Sequence, residues 1–177
     1  MIGACDRALT RLEDALLVIS CVCILGIVAI TTADVAARGV FNAPFAWSHD
    51  LITQYLLVAL FFLSLPYVTR IGGHMALDFM ARKIRSATLR SSLVLFGEVL
   101  ALLFVVGFIT GAWATVVDAY QGGDLLAGDL PWPTWPSRLV GPVGAAVLAL
   151  RLLVRIAQAG QALRQGDLPH FIIHNGH

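Results

Sequence analysis

The sequence predicts an all-α integral membrane protein with four transmembrane helices, short interfacial amphipathic helices and both termini in the cytoplasm. The first observation is composition, since 58% of the 177 residues are hydrophobic, 13% are charged and the formal net charge is +1. The others are long apolar stretches and an uneven distribution of Lys and Arg. Soluble domains are about half apolar and a quarter charged. This composition therefore excludes a disordered chain, a nucleic-acid binder and an ordinary soluble enzyme.

Three stretches clearly have the length of a span, because roughly 20 helical residues cross about 30 Å of hydrocarbon. Residues 15–33 and 51–69 carry no charged side chain, and residues 91–117 carry only Glu98. A helix is the expected form, since an isolated strand would leave its backbone polar groups unpaired in lipid.

The fourth stretch is shorter, because residues 139–150 end at Arg151. Trp132 and Trp135 are typical of one membrane interface, and a long Arg151 side chain can extend toward the other. A buried core helix is the alternative interpretation. The predicted spans, within a single domain of residues 1–177, are about 15–35, 50–69, 91–117 and 136–157.

Basic residues predict the orientation through the positive-inside rule. Arg38 and Arg138 lie in the first and third loops, and the other ten of the 12 Lys and Arg residues lie on the opposite side. Both termini are therefore expected in the cytoplasm. The first span also resembles a signal peptide, but its apolar core exceeds the 7–15 residues of a cleavable signal, which favours a retained anchor.

Two segments outside the spans have amphipathic spacing. Residues 2–12 place apolar side chains at helical intervals, and residues 74–85 repeat the pattern, with Leu77 and Met80 opposite Asp78. Such segments are typical of helices that lie on the membrane surface. The alternative for the second segment is that its polar face binds a partner.

The outer loops contain turn residues and aromatic residues. In the first, Ser48 is a candidate cap of the second span, Asp50 suits the positive end of its dipole, and Trp47 suits the interface. The third loop contains Gly122-Gly123 and a proline-rich run over residues 131–136, so it cannot be one continuous helix. Its tryptophans are expected either at headgroup level or against another protein.

Ionisable residues inside spans are candidates for function. Glu98 in the third span and Arg151 in the fourth are expected to form an ion pair. Proton or ion transport through Glu98 is the competing interpretation, although such a pathway usually has more polar groups. Gly107 and Gly111 form a small-xxx-small pair that would allow another helix to approach closely.

Patterns typical of catalysis or metal binding are weak. His170, His174 and His177 have helical spacing, but Pro169 and the Asn175-Gly176 pair oppose a helix there. Cys21 and Cys23 have the wrong spacing for a CxxC redox pair. We therefore expect no enzyme activity, no metal and no cofactor.

Three segments, in order along the chain, resemble a known family. They are Arg38 followed by Trp47-Ser48-His49-Asp50, the run Arg70-Ile71-Gly72-Gly73-His74-Met75-Ala76-Leu77-Asp78, and Leu130-Pro131-Trp132 followed by Leu139-Val140-Gly141-Pro142. With four spans and cytoplasmic ends, they resemble the small membrane subunit, of the DctQ type, of tripartite ATP-independent periplasmic (TRAP) transporters. His49 stands where the family commonly has an acid, so a role for a paired acid there would depend on Asp50 alone.

The resemblance implies a non-catalytic scaffold in the bacterial inner membrane. Its partners would be a large multi-span permease subunit, which carries the substrate and sodium sites, a periplasmic substrate-binding protein and membrane lipid. The substrate would be an organic acid. The residues implied as structural or partner-interface positions are Arg38, Trp47 and Asp50 at the outer edge, with an Arg38–Asp50 contact, and Arg70, His74 and Asp78 at the inner edge.

Two other classes of function are alternatives to the scaffold. A small four-helix exporter acting as a homodimer usually depends on an acid in the middle of span one, whereas Asp34 lies at the outer edge of that span. A membrane redox enzyme needs paired outer cysteines, or histidines within the spans as haem ligands. The sequence has neither feature, so the exporter is the stronger alternative.

Overall fold

Four long helices form the part of the chain that the structure describes. The structure, a computed structural model, describes residues 2–42, 45, 47–71, 87–126 and 131–165. The helices are α1 (Ile2–Phe41), α2 (Ser48–Arg70), α3 (Ala87–Gly122) and α4 (Trp135–Gln165). Each is long and apolar enough to cross a membrane, as the sequence predicts for four helices.

Helix α1 is longer than predicted. The expected surface helix over residues 2–12 is instead the beginning of one continuous helix of 40 residues, about 60 Å long. No proline interrupts it, and several of its polar side chains bind other helices, as shown below. It ends where Asn42 takes a left-handed conformation with φ of 52°, a common way to terminate a helix.

Helix α2 begins at Ser48, but the prediction that Ser48 caps it is wrong. Trp47 occupies the cap position without a side-chain cap bond, and the Ser48 hydroxyl instead donates to the Phe45 carbonyl at 2.8 Å. Residues Ile52–Leu56 form a π-helical turn. Pro66 lies inside the helix and is fully buried.

The loop between α3 and α4 is structured where it is described. Gly123 has φ of 61°, and the Asp124 N–H donates to the Ala119 carbonyl at 3.1 Å, which closes α3 with a Schellman-type turn. Leu125 and Pro133 then form an isolated antiparallel bridge. This confirms the prediction that the third loop, with its proline-rich run, is not one continuous helix.

The helices lie in a row in the order α1, α2, α4, α3. Helix α3 packs most extensively on α4, α2 packs on both α4 and α1, and α1 makes only limited contact with α4. In the apolar window of each helix, 44% of α4 is buried but only 11% of α1, 11% of α2 and 17% of α3. Helix α4 is therefore the most buried helix of the row, and the other three helices expose most of their apolar surface.

Small residues on α4 allow this packing. A Cβ atom placed on Gly144 would lie 2.8 Å from the Phe62 carbonyl carbon, so α2 can approach α4 only because residue 144 is glycine. Beside it, Phe62 stacks on Phe108 of α3 with ring centroids 5.3 Å apart, over Gly141. Val105, Ala145 and Leu152 form the buried apolar cluster between α3 and α4.

Several predictions fall outside the described residues. The second amphipathic segment with His74 and Asp78, and the terminal residues His170, His174 and His177, belong to this part of the chain. They stay predictions.

Candidate functional site

Charged side chains meet at one end of the bundle, where α1 and α3 begin and α2 and α4 end. We call this the charged end, and the opposite end the loop end. The charged cluster consists of Asp6, Glu13 and Asp14 on α1, Arg70 on α2, Glu98 on α3, and Arg151 and Arg155 on α4.

Arg151 is the centre of this cluster. Its Nε and Nη2 atoms donate to the two carboxylate oxygens of Glu13 at 2.5 and 2.6 Å, and its Nη1 donates to Asp6 at 2.7 Å. Nη2 also donates to the Thr10 hydroxyl at 3.3 Å. Glu13 is fully buried and Arg151 nearly so. A bidentate pair in this environment fixes α1 against α4 in both position and rotation.

The expected Glu98–Arg151 pair is wrong. Glu98 lies 2.9 Å from Arg155, one helical turn beyond Arg151, and Arg155 also donates to the Thr69 carbonyl at the end of α2. The prediction failed because the register between α3 and α4 is set by packing, and because α1 brings Glu13 to Arg151. Glu13 was missed in the sequence, although Asp6, Thr10 and Glu13 have the spacing of one helix face.

Arg70 joins α2 to α1. Its guanidinium lies 2.6 Å from Asp14 and donates to the Thr10 carbonyl at 3.1 Å. It also lies over the Tyr67 ring, 4.6 Å from the centroid. The end of α2 is thereby attached to the first turns of α1.

The chemistry of the cluster is structural. A buried charge is costly unless it is paired and hydrogen-bonded, and here acids of α1 and α3 each face an arginine of α2 or α4. Among the described residues, no group of His, Cys, Asp and Glu has the arrangement of a metal site. The cluster therefore joins helices to one another.

At the loop end, Arg38 binds Asp34 rather than Asp50. The Arg38–Asp34 distance is 2.9 Å, across one turn of α1, and Asp34 also accepts the Phe45 N–H at 2.7 Å. The predicted Arg38–Asp50 contact is thus wrong, because the nearer acid on the same helix takes the arginine. Within the described part of the chain, Asp50 forms no ion pair, and it lies in the first turn of α2.

Aromatic side chains connect the loops at this end. Trp47 stacks on Phe45, with centroids 5.7 Å apart. Tyr55, in the π-helical turn, donates to the Pro133 carbonyl and meets the Trp132 ring edge-on at 5.9 Å. The third loop is therefore attached to α2.

Among the described residues, the small-xxx-small pair has open space around it. A Cβ atom on Gly107 or on Gly111 would meet nothing within 4 Å. Both glycines line a groove of about 500 Å³ that residues of α2, α3 and α4 form together, with Gly141 of α4 among them.

The fold and the site define a multi-span membrane protein in which charged residues attach the helices to one another and large apolar faces remain exposed. Residues 27–161 match the family model described as Tripartite ATP-independent periplasmic transporters, DctQ component. The chain belongs to this family, the small permease component of tripartite systems that also comprise a large permease and a binding protein. No curated protein and no solved structure gave a significant match.

Proposed function

We propose that this chain is the fixed scaffold of its transporter, holding a large multi-span permease subunit during sodium-driven, binding-protein-dependent uptake of an organic acid. The observation that carries the proposal is the open row of helices. Helix α4 is the most buried of the four, while the other three helices expose apolar faces wide enough to pack against a partner and lipid.

The buried charges support the same function. A solute or ion pathway needs polar groups directed toward a route through the membrane. Here Glu13 and Arg151 bind each other across two helices, and Glu98 faces Arg155. Such pairs stabilise one helix arrangement, which is what a scaffold requires.

We further propose that the charged end faces the cytoplasm of a bacterial inner membrane. Ten of the 12 Lys and Arg residues lie on that side in the predicted topology. The loop end, with Trp47, Trp132 and the described part of the third loop, would then face the periplasmic binding protein. Arg38, Trp47 and Asp50 would shape this outer edge, and Arg70, His74 and Asp78 the inner edge.

Uptake by cells that carry all three components tests the scaffold role. We expect His74→Ala and Asp78→Ala to lower the rate of uptake and the amount of assembled complex, without changing the preference among competing organic acids. The reason is that a scaffold residue does not contact the substrate. Asp50→Ala is the matched substitution at the outer edge, opposite the inner edge that carries His74 and Asp78.

A change in which acid is preferred would contradict the proposal. It would place substrate recognition in this chain.

A further inference from the structure

An apolar slot opens between the first turns of α1 and the last turns of α4, beside the charged cluster. Its volume is about 470 Å³, within the range of about 300–1,000 Å³ for ligand pockets. The side chains that line it, all apolar, are Ala8, Leu9 and Leu12 on α1 and Leu150, Leu153, Val154 and Ala157 on α4.

The side chains that line the slot differ in size from one end to the other. Helices α1 and α4 run in opposite directions, so Ala8 and Ala157 lie toward the charged end while Leu12 and Leu150 lie toward the middle of the membrane. Small residues thus form the mouth and leucines form the depth. This gradient suits a chain that enters from headgroup level and continues into the hydrocarbon.

A basic residue stands beside the mouth. Arg11 is exposed and lies one helical turn along α1 from Ala8 at the mouth. Side chains on a helix lean toward its N-terminus, so the long Arg11 side chain extends toward the charged end, where the mouth lies. The neighbouring acids of α1 are engaged elsewhere, since Asp6 binds Arg151 and Asp14 binds Arg70. Among the described residues, Arg11 itself forms no ion pair, so its charge is available at headgroup level.

We propose that this slot binds an anionic phospholipid, with an acyl chain between α1 and α4 and the phosphate at Arg11. The occupant must be apolar along the slot and negatively charged at its mouth. An anionic phospholipid has both properties by constitution, whereas a protein segment would need an acid placed next to an apolar run. The inference goes beyond the scaffold function and does not depend on which substrate is transported.

Native mass spectrometry of the full chain tests this directly. The protein is titrated with phosphatidylglycerol and with phosphatidylcholine of the same acyl chains. An arginine near a membrane surface favours an anionic lipid by about fivefold. We therefore expect phosphatidylglycerol to bind about fivefold more tightly, Arg11→Gln to remove that preference and Arg11→Lys to retain it.

A second variant tests the slot itself. Ala157→Phe places a ring at the mouth and should weaken binding of both lipids, whereas Ala114→Phe, at an exposed position of α3 outside the slot, should leave both unchanged.

Three results would overturn the proposal. They are equal binding of the two lipids by the unaltered chain, a preference that survives Arg11→Gln, and lipid binding that survives Ala157→Phe in a folded protein. If Ala157→Phe instead releases a co-purifying permease subunit while lipid binding is unchanged, the slot is a protein contact and the lipid proposal is wrong.

Discussion

Glu13 and Glu98 are acids on long apolar helices, and each has its arginine on α4. The Glu13–Arg151 pair is bidentate and nearly completely buried, while Glu98 faces Arg155 at 2.9 Å. Removing one partner of a buried pair leaves the other charge uncompensated. The consequence of a substitution should therefore depend on burial more than on charge alone.

Substitution at Arg151 tests this at the residue scale. We expect Arg151→Gln to lower the free energy of unfolding by about 3–5 kcal/mol, because the buried Glu13 loses its bidentate partner and keeps only Arg70, 3.4 Å away. Arg138→Gln is the matched control, since the Arg138–Asp124 pair is exposed and 3.6 Å long, and it should cost less than about 1 kcal/mol. Both are measured by unfolding in detergent.

Double-mutant cycles then distinguish the pairing in the structure from the one that the sequence suggested. The Glu13–Arg151 cycle should give a coupling of about 2 kcal/mol, and the Glu98–Arg151 cycle about 0.5 kcal/mol or less. A larger coupling in the second cycle would show that the register of α3 on α4 is incorrect.

The residue scale also shows where sequence reasoning ended. The sequence predicts structural roles for Arg70 and Arg38. In the structure, Arg70 lies between α1 and α2. Arg38 forms its ion pair with Asp34 rather than with Asp50. A single sequence identifies the charged residues that need partners, but it does not give the distances between them. Those distances decide which of two nearby acids an arginine binds.

At the element scale, the helices follow from runs of uncharged residues, and their contacts follow from small side chains. Gly144 is where α2 and α4 come closest, against the Phe62 backbone. Gly160, also on α4, has open space around it. The two positions therefore differ in packing but not in residue type or helix.

Alanine at these two glycines is a matched test. Gly144→Ala should lower the unfolding free energy by about 1–3 kcal/mol, because the added methyl group forces α2 away from α4. Gly160→Ala should be neutral or stabilising by up to about 1 kcal/mol, since alanine favours a helix more than glycine does. Equal thermal unfolding temperatures for the two variants in detergent would contradict the close approach of α2 and α4.

The four spans were predictable because lipid excludes charges over a fixed length. The helix boundaries were less predictable, since the amphipathic pattern of residues 2–12 fits both a separate surface helix and the first turns of α1. Continuity was decided by packing, in which Asp6, Thr10 and Glu13 contact Arg151. The π-helical turn at Ile52–Leu56 has no comparable sequence signal.

On the scale of the whole molecule, the row of α1, α2, α4 and α3 explains why the described part of the chain has little interior. A self-sufficient exporter needs an enclosed route for its substrate, whereas a scaffold needs exposed apolar faces that pack against a partner. The order of the helices in this row was not predictable from the sequence, because it depends on contacts between side chains of different helices. The open groove at Gly107 and Gly111 and the slot at Ala157 lie on such exposed surfaces.

The central claim, that these faces exist to hold a large permease subunit, is tested most directly by purification from the native membrane. A tagged form of this chain is extracted in a gentle detergent, and the proteins that accompany it are identified and quantified by mass spectrometry. We predict a large multi-span protein in near-equal amount. Recovery of this chain alone as a stable homodimer would contradict the scaffold role and favour the four-helix exporter.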